Sequence, residues 1–367
     1  MTSVSSVGLE QMQQATILIP DISGYTRFLT KTELSHSTHI INELLQVVAD
    51  TVLKRFTLAE IEGDALLTYA KGRVPREEIE KVAKEAFLNF HYFLKVIERD
   101  SVCRCGACHG SSELSLKFIV HYGYFEEIKI AQLTKLSGPD MIIAHRLLKN
   151  QVPTNEYILA TDQYLEGENL QQSELSWMPA EDNYSIIGKV PYQFANLAHL
   201  HNQVTSPESH EDFARLFGLA RSFELQISAP LPMVHQVLTD NAEKVNFVQG
   251  LKNVEYDSAI NRVGSSHICE FDGDSFDIQT LQDAGDEEDI TYIEQAKSIQ
   301  TGQSLLAYYE LKRFSEVETL LIYRALTGDR KPLPEPMADM VYQQAADGLA
   351  SLKNYVEGLH LRSRKAG

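Results

Sequence analysis

Apolar and polar positions along the 367-residue chain fall into two textures. In the first half, short apolar runs alternate with longer stretches of helical period. Ala15, Ile17, Leu18 and Ile19 form a compact run suited to a buried strand that Asp21 ends. Ser23 and Gly24 then break the pattern before a helical segment near Thr26. Residues 36–54 carry Ile40, Ile41, Leu44, Leu45, Val48 and Val52 at helical spacing, with Ser35 or Ser37 placed to cap the start. Residues 56–71 read as strand, tight turn, strand, with Gly63 and Asp64 in the turn. Pro75 introduces a second helix, whose stripe is Ile79, Val82, Ala83, Ala86, Phe87, Phe90, Leu94 and Ile97. Residues 114–131 read as two strands about Gly123, with His121 as a core or interface histidine, and residues 139–150 as a helix. Residues 157–198 supply closing strands in which Trp177 packs.

Residues 199–217 are polar and contain Pro207, which marks a linker between a first domain, 1–198, and a second, 218–361. The second texture is a strand, the prolines Pro230 and Pro232, a short helix, and then six strand-like runs separated by turn signals. Pro332, Pro334 and Pro336 introduce a last amphipathic helix carrying Met337, Met340, Val341, Ala345, Leu349, Leu352, Val356 and Leu359. The fold class is therefore α+β. In the first domain the order strand–helix–strand–strand–helix–strand predicts a ferredoxin-like sheet.

Composition narrows the function. Hydrophobic residues make up 43% and charged residues 23%, as in a globular protein. The net charge is -18, which argues against general nucleic-acid binding and against anionic membranes. No apolar run approaches the ~18–20 residues that span a bilayer. The N-terminus has no secretory pattern, and three of the four cysteines are crowded together, so the expected compartment is the cytoplasm.

Two acidic residues carry the candidate chemistry. Asp21 and Asp64 each follow an apolar strand and sit near a glycine turn. If the strands are neighbours, the carboxylates converge into a site for Mg²⁺ or Mn²⁺, ions that prefer oxygen ligands and nucleotide phosphates. An Asx turn and a hairpin turn are the plainer readings of the same residues. A second feature is CRCGACH, residues 103–109, where Cys103, Cys105 and Cys108 supply three ligands for Zn²⁺ and His109 a candidate fourth. A reduced loop without metal is the alternative.

Four stretches, DISGYTRFL, EIEGDALLTYA, LKFIVHYG and SGPDMIIAHRLLKN, occur in the order of the motifs of class III nucleotidyl cyclases. Residues 15–195 resemble that family's homology domain. The resemblance implies that Asp21 and Asp64 are the metal carboxylates and that Ile22, Ser23, Gly24 and Tyr25 cradle a nucleoside triphosphate. It implies further that Arg146 is the catalytic, phosphate-stabilising arginine, that Glu60 and Lys135 hold the base-selecting positions, and that two copies pair as a homodimer. Ile142 departs from the family, which places a ribose-orienting asparagine there. The second half resembles the START/SRPBCC helix-grip fold, which implies a cavity for a hydrophobic small molecule. Together these predict a nucleotide- and metal-binding module with weak or absent catalysis, coupled to a ligand-binding sensor domain. A working adenylate or guanylate cyclase and a small-molecule carrier are the alternatives.

Overall fold

Strand β1, Gln13–Ser23, is buried without interruption from Ala15 onward because it lies between two neighbours. The computed structural model describes residues 13–366 apart from 33, 131–132, 219 and 259. The chain divides into two compact units, Met1–Val96 with Gly110–Pro207, and Ile97–His109 with Glu208–Gly367. The units are described separately below.

In the first unit β1 leads into helices α1, Tyr25–Lys31, and α2, Leu34–Val52. Strands β2, Thr57–Glu62, and β3, Ala65–Lys71, form a hairpin, and helix α3, Arg76–Asp100, follows. A short helix α4, Gly106–Gly110, which belongs to the second unit except for Gly110, precedes β4, Ser115–Ile130, which β5, Leu133–Ser137, pairs along its far end. Helix α5, Pro139–Leu147, β6, Tyr157–Thr161, the one-turn helix α6, Asp162–Leu165, and strands β7, Trp177–Tyr184, and β8, Gly188–Asn196, complete the unit. The sheet order is β2-β3-β1-β4-β6-β8-β7, antiparallel except for β4 and β6. Its first four strands have the split βαβ arrangement that the element order predicts.

Several local readings change. β1 continues through Asp21 to Ser23, because Asp21 pairs with Ala65 on one side and Lys117 on the other. Residues 115–130 form one strand, and Gly123 is not a break in it. Its missing Cβ makes room for Asp140: a built Cβ would stand 2.1 Å from the Asp140 carboxyl carbon. Ser37 lies inside α2, where its hydroxyl donates to the Leu34 carbonyl at 3.1 Å, so it is not the cap. The side chains of Ser35 and His109 lie outside the described residues. His121 is buried, with Nδ1 2.9 Å from Thr161 Oγ1 and Nε2 3.2 Å from Asp140. Trp177 donates from Nε1 to Glu80 and Ser173, both at 3.0 Å.

In the second unit a seven-stranded antiparallel sheet runs β10-β11-β12-β13-β14-β15-β9. Its strands are β9, Ser222–Ile227, β10, Asn253–Tyr256, β11, Ser266–Glu270, β12, Ser275–Gly285, β13, Asp289–Ser298, β14, Ser304–Ser315, and β15, Glu318–Thr327. Helices α7, Leu231–Thr239, and α8, Lys244–Phe247, precede β10, and α9, Glu335–Ala366, ends the chain. Ala338, Val341, Tyr342, Leu349, Leu352 and Val356 of α9 are buried, whereas Met340 is exposed. Val102 joins the core that these residues share with Leu231, Val234 and Leu311. Glu294 receives hydrogen bonds from Tyr292 at 3.1 Å and Tyr309 at 3.2 Å, with Lys244 Nζ at 3.5 Å. The mixed α+β class follows from both sheets.

Candidate functional site

The turn after β2 and the C-terminal part of β1 are joined by one backbone hydrogen bond, from the Ile22 N–H to the Asp64 carbonyl at 3.0 Å. That bond brings the side chains of Asp21 and Asp64 within hydrogen-bonding reach of each other. Gly63 makes the turn with φ 63°, in the left-handed region that favours glycine. Gly24, at φ 91°, turns the chain from β1 into α1. Asp21 is 8% exposed. Lys117, its cross-strand partner, places Nζ 3.0 Å from Asp21 Oδ2 and also reaches the Leu148 carbonyl at 3.3 Å.

Charge at this pair is incompletely compensated. Burial, followed by the neighbouring Asp21 carboxylate, pushes the Asp64 carboxyl up to about 6. Burial raises Asp21 as well, against the pull of Lys117. Two carboxylates therefore share one ammonium, and the pair retains a proton more readily than an isolated carboxylate does. Such an all-oxygen donor set with excess negative charge fits a hard divalent cation. Lys117 was not among the residues singled out from sequence. The local signal was a lysine inside the otherwise apolar run Leu116–Val120.

The other candidate residues form a separate group in the first unit. Ile142 and Arg146, four residues apart on α5, lie on one face and line two adjoining recesses of about 680 and 510 Å³. Lys135 and Glu62 line the first, and His145 Nδ1 sits 3.0 Å from Glu62 there. Lys135 and Glu60 are brought together as an ion pair at 3.2 Å. Ile142 is exposed and offers no hydrogen bond. Gly138, just before α5, adopts φ 148° with its Cβ position 3.0 Å from the Tyr124 carbonyl, so the segment needs a glycine there. Of the proposed cradle, Ile22 and Ser23 are buried, and Ser23 donates to the Asn155 carbonyl at 3.0 Å.

In the second unit the thiols of Cys103, Cys105 and Cys108 lie within 4.8 Å of one another. None forms a disulfide. Hydrogen bonding to Cys103 and Cys105, with burial, drives the Cys108 thiol far up.

Fold and site define a mixed α+β protein with a paired-carboxylate centre where the C-terminal part of the interior strand β1 meets the β2–β3 turn. The chain is 31% identical over 156 residues to the uncharacterized protein Rv2561/Rv2562 of Mycobacterium tuberculosis, an alignment covering 42% of this chain and 73% of that one. It belongs to the family of that protein. A family model described as "Protein of unknown function (DUF2652)" matches residues 41–157. Solved structures similar over about half the chain include adenylyl and guanylyl cyclases. A bacterial light-regulated adenylyl cyclase shares 15% identity at TM-score 0.38, covering 53% of this chain and 100% of that one. The adenylyl cyclase CyaB from P. aeruginosa shares 16% at TM-score 0.36, covering 51% and 95%. Among the described residues no helix is long and apolar enough to cross a membrane.

Proposed function

We propose that the first unit binds a nucleoside triphosphate together with Mg²⁺ or Mn²⁺, as a homodimeric cyclase-like module whose cyclisation is weak or absent. The observation that carries the reading is the convergence of Asp21 and Asp64 with their charge only partly neutralised. Asp21 and Asp64 would hold the cation. When bound, the cation neutralises phosphate charge and favours ionisation of a ribose hydroxyl. The turn from Ile22 to Tyr25 would receive phosphate oxygens on its N–H groups. Arg146 would meet the phosphates of a nucleotide held across the dimer, and Lys135 with Glu60 the base.

Ile142 argues for slow chemistry. An aliphatic side chain in the recess with Arg146 cannot orient a ribose, and loss of one such contact costs about 10²–10³ in rate. The dimer reading is supported by apolar exposure beside that recess: Ile142 is 55% and Ile186 91% exposed, residues a second copy would cover.

Calorimetry with ATP and with GTP, each with Mn²⁺, tests the reading: binding to at least one, lost in Asp21→Ala, is expected. No heat with either nucleotide rejects it. Cyclic nucleotide formed by wild type but not by Asp21→Ala would identify an active cyclase instead. We further propose that Cys103, Cys105 and Cys108 hold a structural zinc, since three crowded thiols are stabilised by a cation once ionised. For the second unit we propose a regulatory role as the binder of a hydrophobic small molecule. Support comes from its largely enclosed network of Tyr292, Glu294, Tyr309 and Lys244. Mass spectrometry of extracts from the purified protein, finding no co-purified compound and no added lipid retained, would reject that role.

A further inference from the structure

Three side chains distant in sequence meet in the first unit, apart from the carboxylate pair. His91 comes from α3, Glu156 directly precedes β6, and His201 lies on the short turn Ala198–Gln203 after β8. His201 Nε2 is 2.8 Å and His91 Nε2 3.6 Å from the same oxygen, Glu156 Oε1. The ligating atoms all lie within 4.8 Å of one another. A tetrahedral ion with bonds of about 2.0–2.2 Å needs ligand atoms roughly 3.3 Å apart, a value these two separations bracket.

A second observation points into the cluster. His91 is 6% exposed, and its Nε2 has no hydrogen-bond partner among the described residues. Buried ring nitrogens without partners are uncommon, because the lost hydration is not replaced. The ring is held in place by Phe87, Phe90 and His201, at centroid distances of 4.2, 5.2 and 4.3 Å. Glu156 is fixed too: Ser115 Oγ donates to its Oε1 at 2.8 Å, and the Leu197 N–H donates to its carbonyl at 2.9 Å. The nearby Lys95 ammonium is engaged by the Val204 carbonyl at 2.9 Å. The His201 side chain is 45% exposed, so the cluster can be reached from solvent.

We propose that His91, Glu156 and His201 bind a divalent transition ion of the Zn²⁺ class, with water in the fourth position. Two imidazoles and one carboxylate select such an ion over Mg²⁺, so this centre is chemically distinct from the Asp21–Asp64 pair.

The test uses the full chain carrying Cys103→Ser, Cys105→Ser, Cys108→Ser and Asp64→Asn, which silences the other two candidate metal sites. Cobalt(II) is titrated and followed by its visible d–d bands and by calorimetry. One equivalent is expected, with affinity falling more than about 100-fold in His201→Ala and in Glu156→Gln, beyond what loss of a supporting hydrogen bond costs. Circular dichroism confirms that each variant is folded. His201→Ala removes a half-exposed group and remains informative should Glu156→Gln not fold. Absence of saturable uptake, or uptake unchanged in His201→Ala, overturns the proposal. Neither result involves nucleotide, so the outcome is separate from the cyclase-like reading.

Discussion

Asp64→Asn should make the metal-free protein more stable. The carboxyl of Asp64 stands at about 6 against an ordinary 3.8, a gap of about two pH units caused by burial and by Asp21. At 1.36 kcal/mol per unit that is roughly 3 kcal/mol. The group is only half-buried, and solvent screening cuts the figure to about 1–1.5 kcal/mol. Below the ordinary value both folded and unfolded chains are protonated, and the penalty is absent. Between about pH 4 and 6 the folded chain binds more protons, so stability falls as pH rises. Above pH 6 the penalty is complete. Asparagine keeps an acceptor oxygen and removes the charge. At pH 8 in chelator the variant should melt roughly 2–6 °C above wild type, and at pH 4 the two should coincide. Mn²⁺ should then raise the melting temperature of wild type and leave the variant unmoved. A variant less stable than wild type at pH 8 in chelator would refute the reasoning, since it would make the Asp64 carboxylate a structural cap.

Three further outcomes follow from the same geometry. Burial and Lys244 push His267 down to about 3. Its unfolded imidazole takes up a proton below about 6.5, so it contributes stability that is lost as pH falls from 6.5 toward 3. His267→Gln should flatten that acid limb in urea unfolding, and an unchanged slope would discount the site. Gly123→Ala drives a Cβ into the Asp140 carboxyl and should cost about 2–4 kcal/mol by denaturant titration. Adding Asp140→Ala should restore part of that loss, and additive costs would show that the two positions do not interact. Replacing Cys103, Cys105 and Cys108 together by serine should remove one zinc per chain by metal analysis, and the same zinc content in both proteins would discard the thiol site.

Where the sequence was legible, the signal was local. Ala15, Ile17, Leu18 and Ile19 of β1 read as a compact apolar run because both edges of the strand are paired and both faces are buried. The Gly63–Asp64 turn is legible because two short strands flank it. Non-local geometry was not. Gly123 looks like a break in the strand, yet it answers to Asp140, which is many residues away. Residues 103–109 read as a cysteine loop inside the first domain, but Ile97–His109 belong to the second unit, where Val102 packs into the core and its backbone N–H donates to the Asn261 carbonyl at 3.3 Å. β5 escapes notice because Leu133–Ser137 is short and largely polar, and is recruited by the long far end of β4. His91, Glu156 and His201 share no spacing that a motif could capture, and only the fold assembles them.

Three aspartates of the first unit, Asp21 buried and Asp64 and Asp140 half-buried, show what separates a structural carboxylate from a candidate ligand. Asp140 receives the Tyr124 N–H at 2.6 Å and lies 3.2 Å from His121, and these partners hold its carboxyl below the usual range despite burial. Its charge is satisfied, and a cation would have to displace those partners. Asp21 and Asp64 face each other instead, and one ammonium on Lys117 serves both. Such an arrangement is costly in the absence of a cation, because like charges are held together in a partly dry place. A divalent ion bound there as proposed would remove that cost, and a triphosphate arriving with it would give the Lys117 ammonium new oxygen partners. On the proposed reading the lysine is a counter-ion that limits the repulsion between the two carboxylates enough for the strands to pair, while leaving charge that a bound cation would neutralise.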